Sequence, residues 1–227
     1  MAAATKGNCY ICGATLAKVA MEKHIIELHG DDKGGQACRL VKAEGAYPKG
    51  YWLYFDVAAD KTLSAVDGFL RRIWLECCGH LSEFCLPGDF EIGKSRKLSS
   101  FDEGDILIHR YDFGTTTETI LTVLGSTTRK QQRGIVRLLA RNVPPVFKCK
   151  ECGEKAFYIA ALMDDTTVIN YYCFKCGEKI DEDEYFMLHV TNSPRMGQCG
   201  YSGELDDFTF YPSLVTQKQA ALPPGTN

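Results

Sequence analysis

The chain has 227 residues, 45% of them hydrophobic and 24% charged, enough for one hydrophobic core with smaller modules attached. A formal net charge of −3 excludes coating of nucleic acid through overall positive charge, so any such binding needs a local patch. No apolar run approaches the roughly 20 residues of a membrane span, and the start, MAAATKGNCY, lacks the apolar stretch of a secretory leader. A cytoplasmic protein without membrane association is therefore expected. In a reducing compartment eleven cysteines, mostly in Cys-x-x-Cys pairs, point to metal rather than disulfides.

The first element is Cys9-Tyr-Ile-Cys12-Gly, followed after eleven residues by His24 and then His29, which resembles a two-cysteine, two-histidine zinc finger. Positions five apart on an α-helix lie about 140° apart, so the last turn is expected to loosen for both histidines to reach one ion, with Gly30 permitting that ending. Cys38 is an alternative fourth ligand. The stretch GDDKGGQ (30–36) reads as a linker and GAYPKG (45–50) as a second break.

YWLYFDVAA (51–59) has the aromatic and apolar content of a strand. From Thr62 to Leu75 the residues Leu63, Val66, Phe69, Leu70, Ile73 and Trp74 recur at spacings of three and four, the stripe of an amphipathic helix that packs on a sheet. Strands are expected at 81–86, 105–113, 117–125 and 134–142, the middle two joined by a Gly-Thr-Thr turn. Strand, helix, then mostly strands predicts an α+β domain with a central mixed or antiparallel sheet and one packed helix.

Cys149-Lys-Glu-Cys152-Gly and Cys173-Phe-Lys-Cys176-Gly are near copies with twenty residues between the inner cysteines, the spacing of a zinc ribbon. Four thiolates complete a tetrahedron and leave no open position, so this zinc is structural. AFYIAAL and TTVINYY, flanking Met163-Asp164-Asp165, read as the hairpin between the two cysteine turns. The predicted organisation is a finger-like module over 1–35, the α+β domain over 45–142, the ribbon over 143–180, a segment over 181–213 packing on the core or ribbon, and a disordered tail over 214–227. Two zinc ions per chain are expected.

Residues 63–84, LSAVDGFLRRIWLECCGHLSEF, followed by Tyr111-Asp-Phe-Gly114, resemble the pRiA4b-type plasmid ORF-3-like family, which also occurs as passenger proteins of insertion elements. The likeness spans roughly residues 50 to 142. It implies a compact α+β fold and, in some members, a small N-terminal finger, and it carries over no catalytic residue.

Three functional readings follow. Arg129, Lys130, Arg133, Arg137, Arg141, Lys148 and Lys150 occur with no acidic residue among positions 129–150, a stretch that could meet a nucleic acid or nucleoprotein through phosphate contacts, the first five being the candidates. On a regular strand Arg137 and Arg141 would share one face; a solvated strand face is the alternative. A protein-interaction adaptor is the second reading, drawing on Asp181 to Glu184 and on Tyr171 and Tyr172. A thiol-dependent enzyme is the third, resting on Cys77, Cys78, His80 and the glycine-rich loop 192–203 with Arg195 and Cys199. Cys77, Cys78, His80 and Cys85 are also a possible third metal cluster, although adjacent cysteines diverge in most backbone conformations.

Overall fold

The structure is a computed structural model that describes residues 5–30, 35–130, 135–163, 169–181 and 183–212. Arg133, the Asp164-Asp165 turn, Glu182, part of the 30–36 linker and the 214–227 tail lie outside the described residues. In chain order the elements are β1 (Lys6–Cys9), β2 (Thr15–Ala17), α1 (Lys18–His29), β3 (Gln36–Gly45), β4 (Trp52–Ala58) and α2 (Leu63–Leu70), which continues as a π-helical turn (Arg71–Leu75). Next come β5 (Ser82–Leu86), β6 (Phe90–Ile92), β7 (Ile106–Tyr111), β8 (Thr117–Arg129) and β9 (Val136–Asn142). The chain then forms β10 (Tyr158–Leu162), β11 (Ile169–Tyr172), the short α3 (Phe174–Gly177) and β12 (Tyr185–His189).

β4 explains the architecture. All seven of its residues are buried, because it lies inside a nine-stranded sheet of order β2-β1-β9-β4-β3-β8-β7-β5-β6 that is covered on both faces. Leu53, Phe55 and Val57 join the larger core beneath α2, while Trp52 and Tyr54 join a second core with Met21 and Ile25 of α1. A strand buried on both sides reads as a nearly continuous apolar run, interrupted here only by Asp56. The six apolar residues of the helical stripe are all buried in the larger core, each contributing about 1.5–3 kcal/mol by leaving water.

The strand pairs are antiparallel throughout the described residues. This is the expected α+β character, with two differences. α1 covers the second face, so the sheet has a helix on each side. The finger also does not stand apart: β1 pairs with β9, Gly7 opposite Asn142 and Cys9 opposite Ala140, so its hairpin extends the main sheet.

The middle of the sheet includes β3, which occupies a stretch read in the sequence only as the space between two breaks. Its pattern has both Leu40 and Val41 buried because both faces of the sheet are covered, Leu40 joining the core beneath α1 and Val41 the core beneath α2. The neighbouring β8 carries a bulge, where Leu40 faces Gly125 and Val41 faces Val123, leaving Leu124 as an extra residue. Gly125 takes φ +132° there, a conformation glycine adopts without strain.

Two charged networks lie within the sheet. Asp67 of α2 accepts a 2.8 Å bond from His109 Nε2, a 2.7 Å bond from Ser82, and pairs with Arg71 and Lys94. Burial raises the Asp67 carboxyl, but the bonds from His109 and Ser82 and the charge of Arg71 outweigh it and hold the group below the usual carboxylate range. Burial lowers His109, so at neutral pH it is an uncharged donor. The second network joins Asp56 to Arg129 at 2.7 Å and Arg137 at 2.6 Å.

The segment after β12 packs on the core. Ser193 Oγ donates to Trp74 O at 2.5 Å, and Arg195 and Tyr201 are buried. Among the described residues no helix is long and apolar enough to cross a membrane.

Candidate metal centres

Three groups of cysteine and histidine converge in the described residues, each with its ligating atoms within 4.8 Å of one another: Cys9, Cys12, His24 and His29; Cys149, Cys152, Cys173 and Cys176; and Cys77, Cys78, His80 and Cys199. All three are positioned for metal binding.

In the ribbon, two tight turns supply the sulfurs. Gly153 N donates to Cys149 O at 3.0 Å and Gly177 N to Cys173 O at 2.8 Å. Gly153 has φ +76°, and a Cβ on Gly177 would stand 2.7 Å from the Tyr158 ring, so both glycines of the repeated motif are required. β10 and β11 hold the turns together, Tyr158 opposite Tyr172, and β12 adds a third strand. The thiols face one another, Cys152 Sγ lying 3.6 Å from Cys173 Sγ. Desolvation raises the Cys149 thiol, but backbone N–H groups of Cys173, Cys152 and Glu151 outweigh it and bring it down to about 6. One cluster of the module holds Cys149, Ala160, Tyr172 and Cys173 with four partly buried neighbours, and Ala156, Ile159 and Ala161 are buried as well.

The finger is built differently. Cys9 ends β1 and is wholly buried, and Tyr10 N donates to Leu139 O at 2.8 Å. Cys12 Sγ lies 3.1 Å from His24 Nε2, which lies 3.2 Å from His29 Nε2. The expected loosening of the last turn does not occur. α1 runs regularly to His29, and Gly30 keeps right-handed helical torsions, φ −77° and ψ −15°. The rings nevertheless meet, their centroids 4.9 Å apart, although the two positions are offset about 140° on the helix. Cys38 is buried on β3 with its thiol donating to Gln36 O and takes no part.

The third group corrects two expectations. Cys85 lies away from it on β5, its thiol donating to Glu83; Cys199 takes its place. Cys77 and Cys78 do not diverge: both sulfurs lie in the same cluster, within 4.8 Å of the other ligating atoms. The His80 hydrogen bond and the backbone N–H of Gly200 bring Cys199 down to about 7. Nothing in the spacing announces Cys199, which lies 119 residues from His80.

The basic stretch is dispersed. Arg129 is 1% and Arg141 4% exposed, Arg129 pairing with Asp56, and Arg141 with Glu204 at 3.1 Å. Arg137 and Arg141 do not share a face. Tyr54 is opposite Ala140 and Phe55 opposite Leu138, so Leu139 is an extra residue and the alternation reverses across it. Arg137 therefore stands opposite Asp56 and Arg141 opposite Leu53, on opposite sides of the sheet. Lys130 is exposed. The described members do not form the single basic face that a regular strand would give.

No family model matches the chain, and no curated protein matches it. The resemblance to the plasmid ORF-3-like family rests on the sequence motifs alone. A crystal structure of a protein of unknown function, MM3350 from Methanosarcina mazei Go1, is similar over 47% of this chain and 68% of its own, at 16% identity and TM-score 0.39.

Proposed function

We propose that this chain is a zinc-stabilised protein-interaction adaptor, with zinc ions in the finger and in the ribbon. A zinc–sulfur bond of about 2.3 Å separates the sulfurs of a tetrahedron by roughly 3.8 Å, and the 3.6 Å between Cys152 and Cys173 fits. Sulfur and imidazole donors without carboxylate also suit zinc over harder cations. Cys149, Cys152, Cys173 and Cys176 would hold the ribbon ion, and Cys9, Cys12, His24 and His29 the finger ion. Both would be saturated by protein ligands, which favours a structural role for the metal.

The observation that carries the adaptor reading over nucleic-acid association is the burial of Arg129 and Arg141 in ion pairs. The ribbon does not replace that lost charge: positions 147–190 hold nine acidic residues against five lysines, a balance that repels phosphate. The ribbon does carry apolar surface. A groove of about 590 Å³ runs between Pro144, Pro145, Val146, Phe157, Val190 and Gly203, with Val146 72% exposed and Phe157 stacked on exposed Phe174 at 4.2 Å. Lys155 and Glu204, which is paired with Arg141, also line it, and an extended apolar peptide segment fits its shape.

Recovery of the full chain from nuclease-treated lysate tests this. A stoichiometric protein partner is expected, retained by wild type and lost by Val146→Asp or Phe157→Asp at unchanged zinc content. Salt-sensitive binding of DNA or RNA that weakens when Lys130 or Arg133 is changed to Ala would overturn it in favour of the nucleic-acid reading.

A further inference from the structure

The four side chains outside finger and ribbon have the geometry of a metal site. Cys78 Sγ lies 3.7 Å from Cys199 Sγ, and Cys199 Sγ 3.5 Å from His80 Nε2. With zinc–sulfur bonds of about 2.3 Å and zinc–nitrogen bonds of about 2.05 Å, the corresponding tetrahedral edges are roughly 3.8 and 3.5 Å. We propose that Cys77, Cys78, His80 and Cys199 hold a third ion, zinc or a divalent cation of similar softness, in a three-cysteine, one-histidine site. The inference uses none of the finger or ribbon residues and stands whether or not those sites are filled.

The surroundings are organised around the donors. Gly79, at φ +72°, donates its N–H to Glu76 Oε1 at 2.5 Å, and Glu76 is held by Arg71 Nη1 at 2.7 Å and Tyr111 Oη at 3.0 Å. This fixes the turn that carries Cys77, Cys78 and His80. Cys199 has φ +50°, a left-handed conformation that non-glycine residues rarely adopt, and there its sulfur meets the other donors.

A buried cation stands beside the donors, itself paired with Asp112, whose carboxylate also lies 3.6 Å from His80 Nε2. Three thiolates and a divalent cation leave one negative charge. Arg195, wholly buried, brings Nη2 to 3.4 Å from Cys77 Sγ. Arg195 is itself fixed by Asp112 at 2.6 Å, Thr115 O at 3.0 Å and Thr117 Oγ1 at 3.1 Å. A donor anchored behind a thiolate ligand is the usual outer partner of a metal–sulfur site. The ion would tie the 192–203 loop to the end of the π-helical turn, fixing the strand of chain that contributes Gly203 to the groove.

The test is the zinc content of the full chain, purified under reductant, by elemental analysis and native mass spectrometry. Cys199→Ser and His80→Ala should each lower the content by one ion relative to wild type, while Cys12→Ser and Cys152→Ser report the finger and ribbon separately. An unchanged content in Cys199→Ser and His80→Ala overturns the third site, whatever the wild-type total. A total of two falling to one in Cys199→Ser upholds it and places the failure in finger or ribbon. Where these variants do not fold, alkylation of the wild-type chain decides: Cys78 and Cys199 are exposed and should react at least ten-fold more slowly before chelation than after. Equal rates overturn the proposal.

Discussion

The finger and the ribbon present similar donor sets to a metal, yet they are embedded in opposite ways. The finger's hairpin lies within the nine-stranded sheet, and its helix packs Met21 and Ile25 on Leu40, Trp52, Tyr54 and Leu139. The ribbon has a separate three-stranded sheet and a small core in which the cysteines Cys149 and Cys173 pack with Ala160 and Tyr172, beside buried Ala156, Ile159 and Ala161. If the proposed zinc sites are filled, losing the ion from the finger would remove one contribution among many, and losing it from the ribbon would remove the link between its two cysteine turns. Similar ligands can therefore mean different dependence on the ion.

The sharpest way to break that comparison is Cys152→Ser. Structural zinc supplies on the order of 10 kcal/mol to a module of this kind, so hydrogen exchange should show β10, β11 and β12 losing protection together while β3, β4 and β8 keep theirs. Retained protection in the ribbon would mean that it folds on its small core alone. The finger makes the reciprocal case. Met21→Ala should cost about 2–4 kcal/mol by urea unfolding, the usual range for emptying a buried methionine site, with zinc content unchanged. A cost near zero would show that α1 is held by its metal rather than by the sheet.

A third prediction separates both modules from the sheet itself. Asp67 is held below its ordinary range, so its stabilising effect is complete above about pH 4 and fades as pH falls toward its folded value. His109 is also held below its ordinary value: the unfolded chain takes up that proton first, and stability declines as pH drops below about 6.5. Asp67→Asn should cost about 2 kcal/mol at pH 7, by loss of its bonds to Arg71 and Lys94, and should flatten the decline below pH 4. An unchanged slope in urea titrations there would exclude Asp67 as its source. Acid effects on the metal modules must be read against this background.

Much of this was legible in the sequence where a local rule applied without interruption. The α2 stripe, the aromatic run of β4 and the repeated Cys-x-x-Cys-Gly turns each need only a few adjacent residues. What was illegible has separate causes. β3 buries both faces but one of them is charged, with Lys42 paired to Glu22 of α1 while Val41 and Ala43 enter the other core, so its sequence shows neither a clean alternation nor an apolar run. Leu139 in β9 sends Arg137 and Arg141 to opposite faces and disperses an apparent basic patch. The sequence groups Cys199 with Cys77, Cys78 and His80 only in the thiol-enzyme reading and not as a metal ligand, because these side chains meet only when the segment carrying Ser193, Arg195 and Tyr201 packs into the core.

The smallest expected effect is the most discriminating. His29 is the final residue of α1 and sits beyond the buried pair Met21 and Ile25, so the packing that holds the helix lies upstream of the ligand. His29→Ala removes one of four donors without opening a cavity in the sheet. Chelator competition should therefore show the finger's zinc affinity falling at least ten-fold, while global stability changes by less than about 1 kcal/mol, a shift of roughly 2–4 °C in Tm for a chain of this size. A collapse like the one expected for Cys152→Ser would mean that the metal builds the finger as it builds the ribbon, and that continuity with the large sheet contributes little. Unchanged affinity would instead reduce the finger to a three-donor site closed by Cys9, Cys12 and His24.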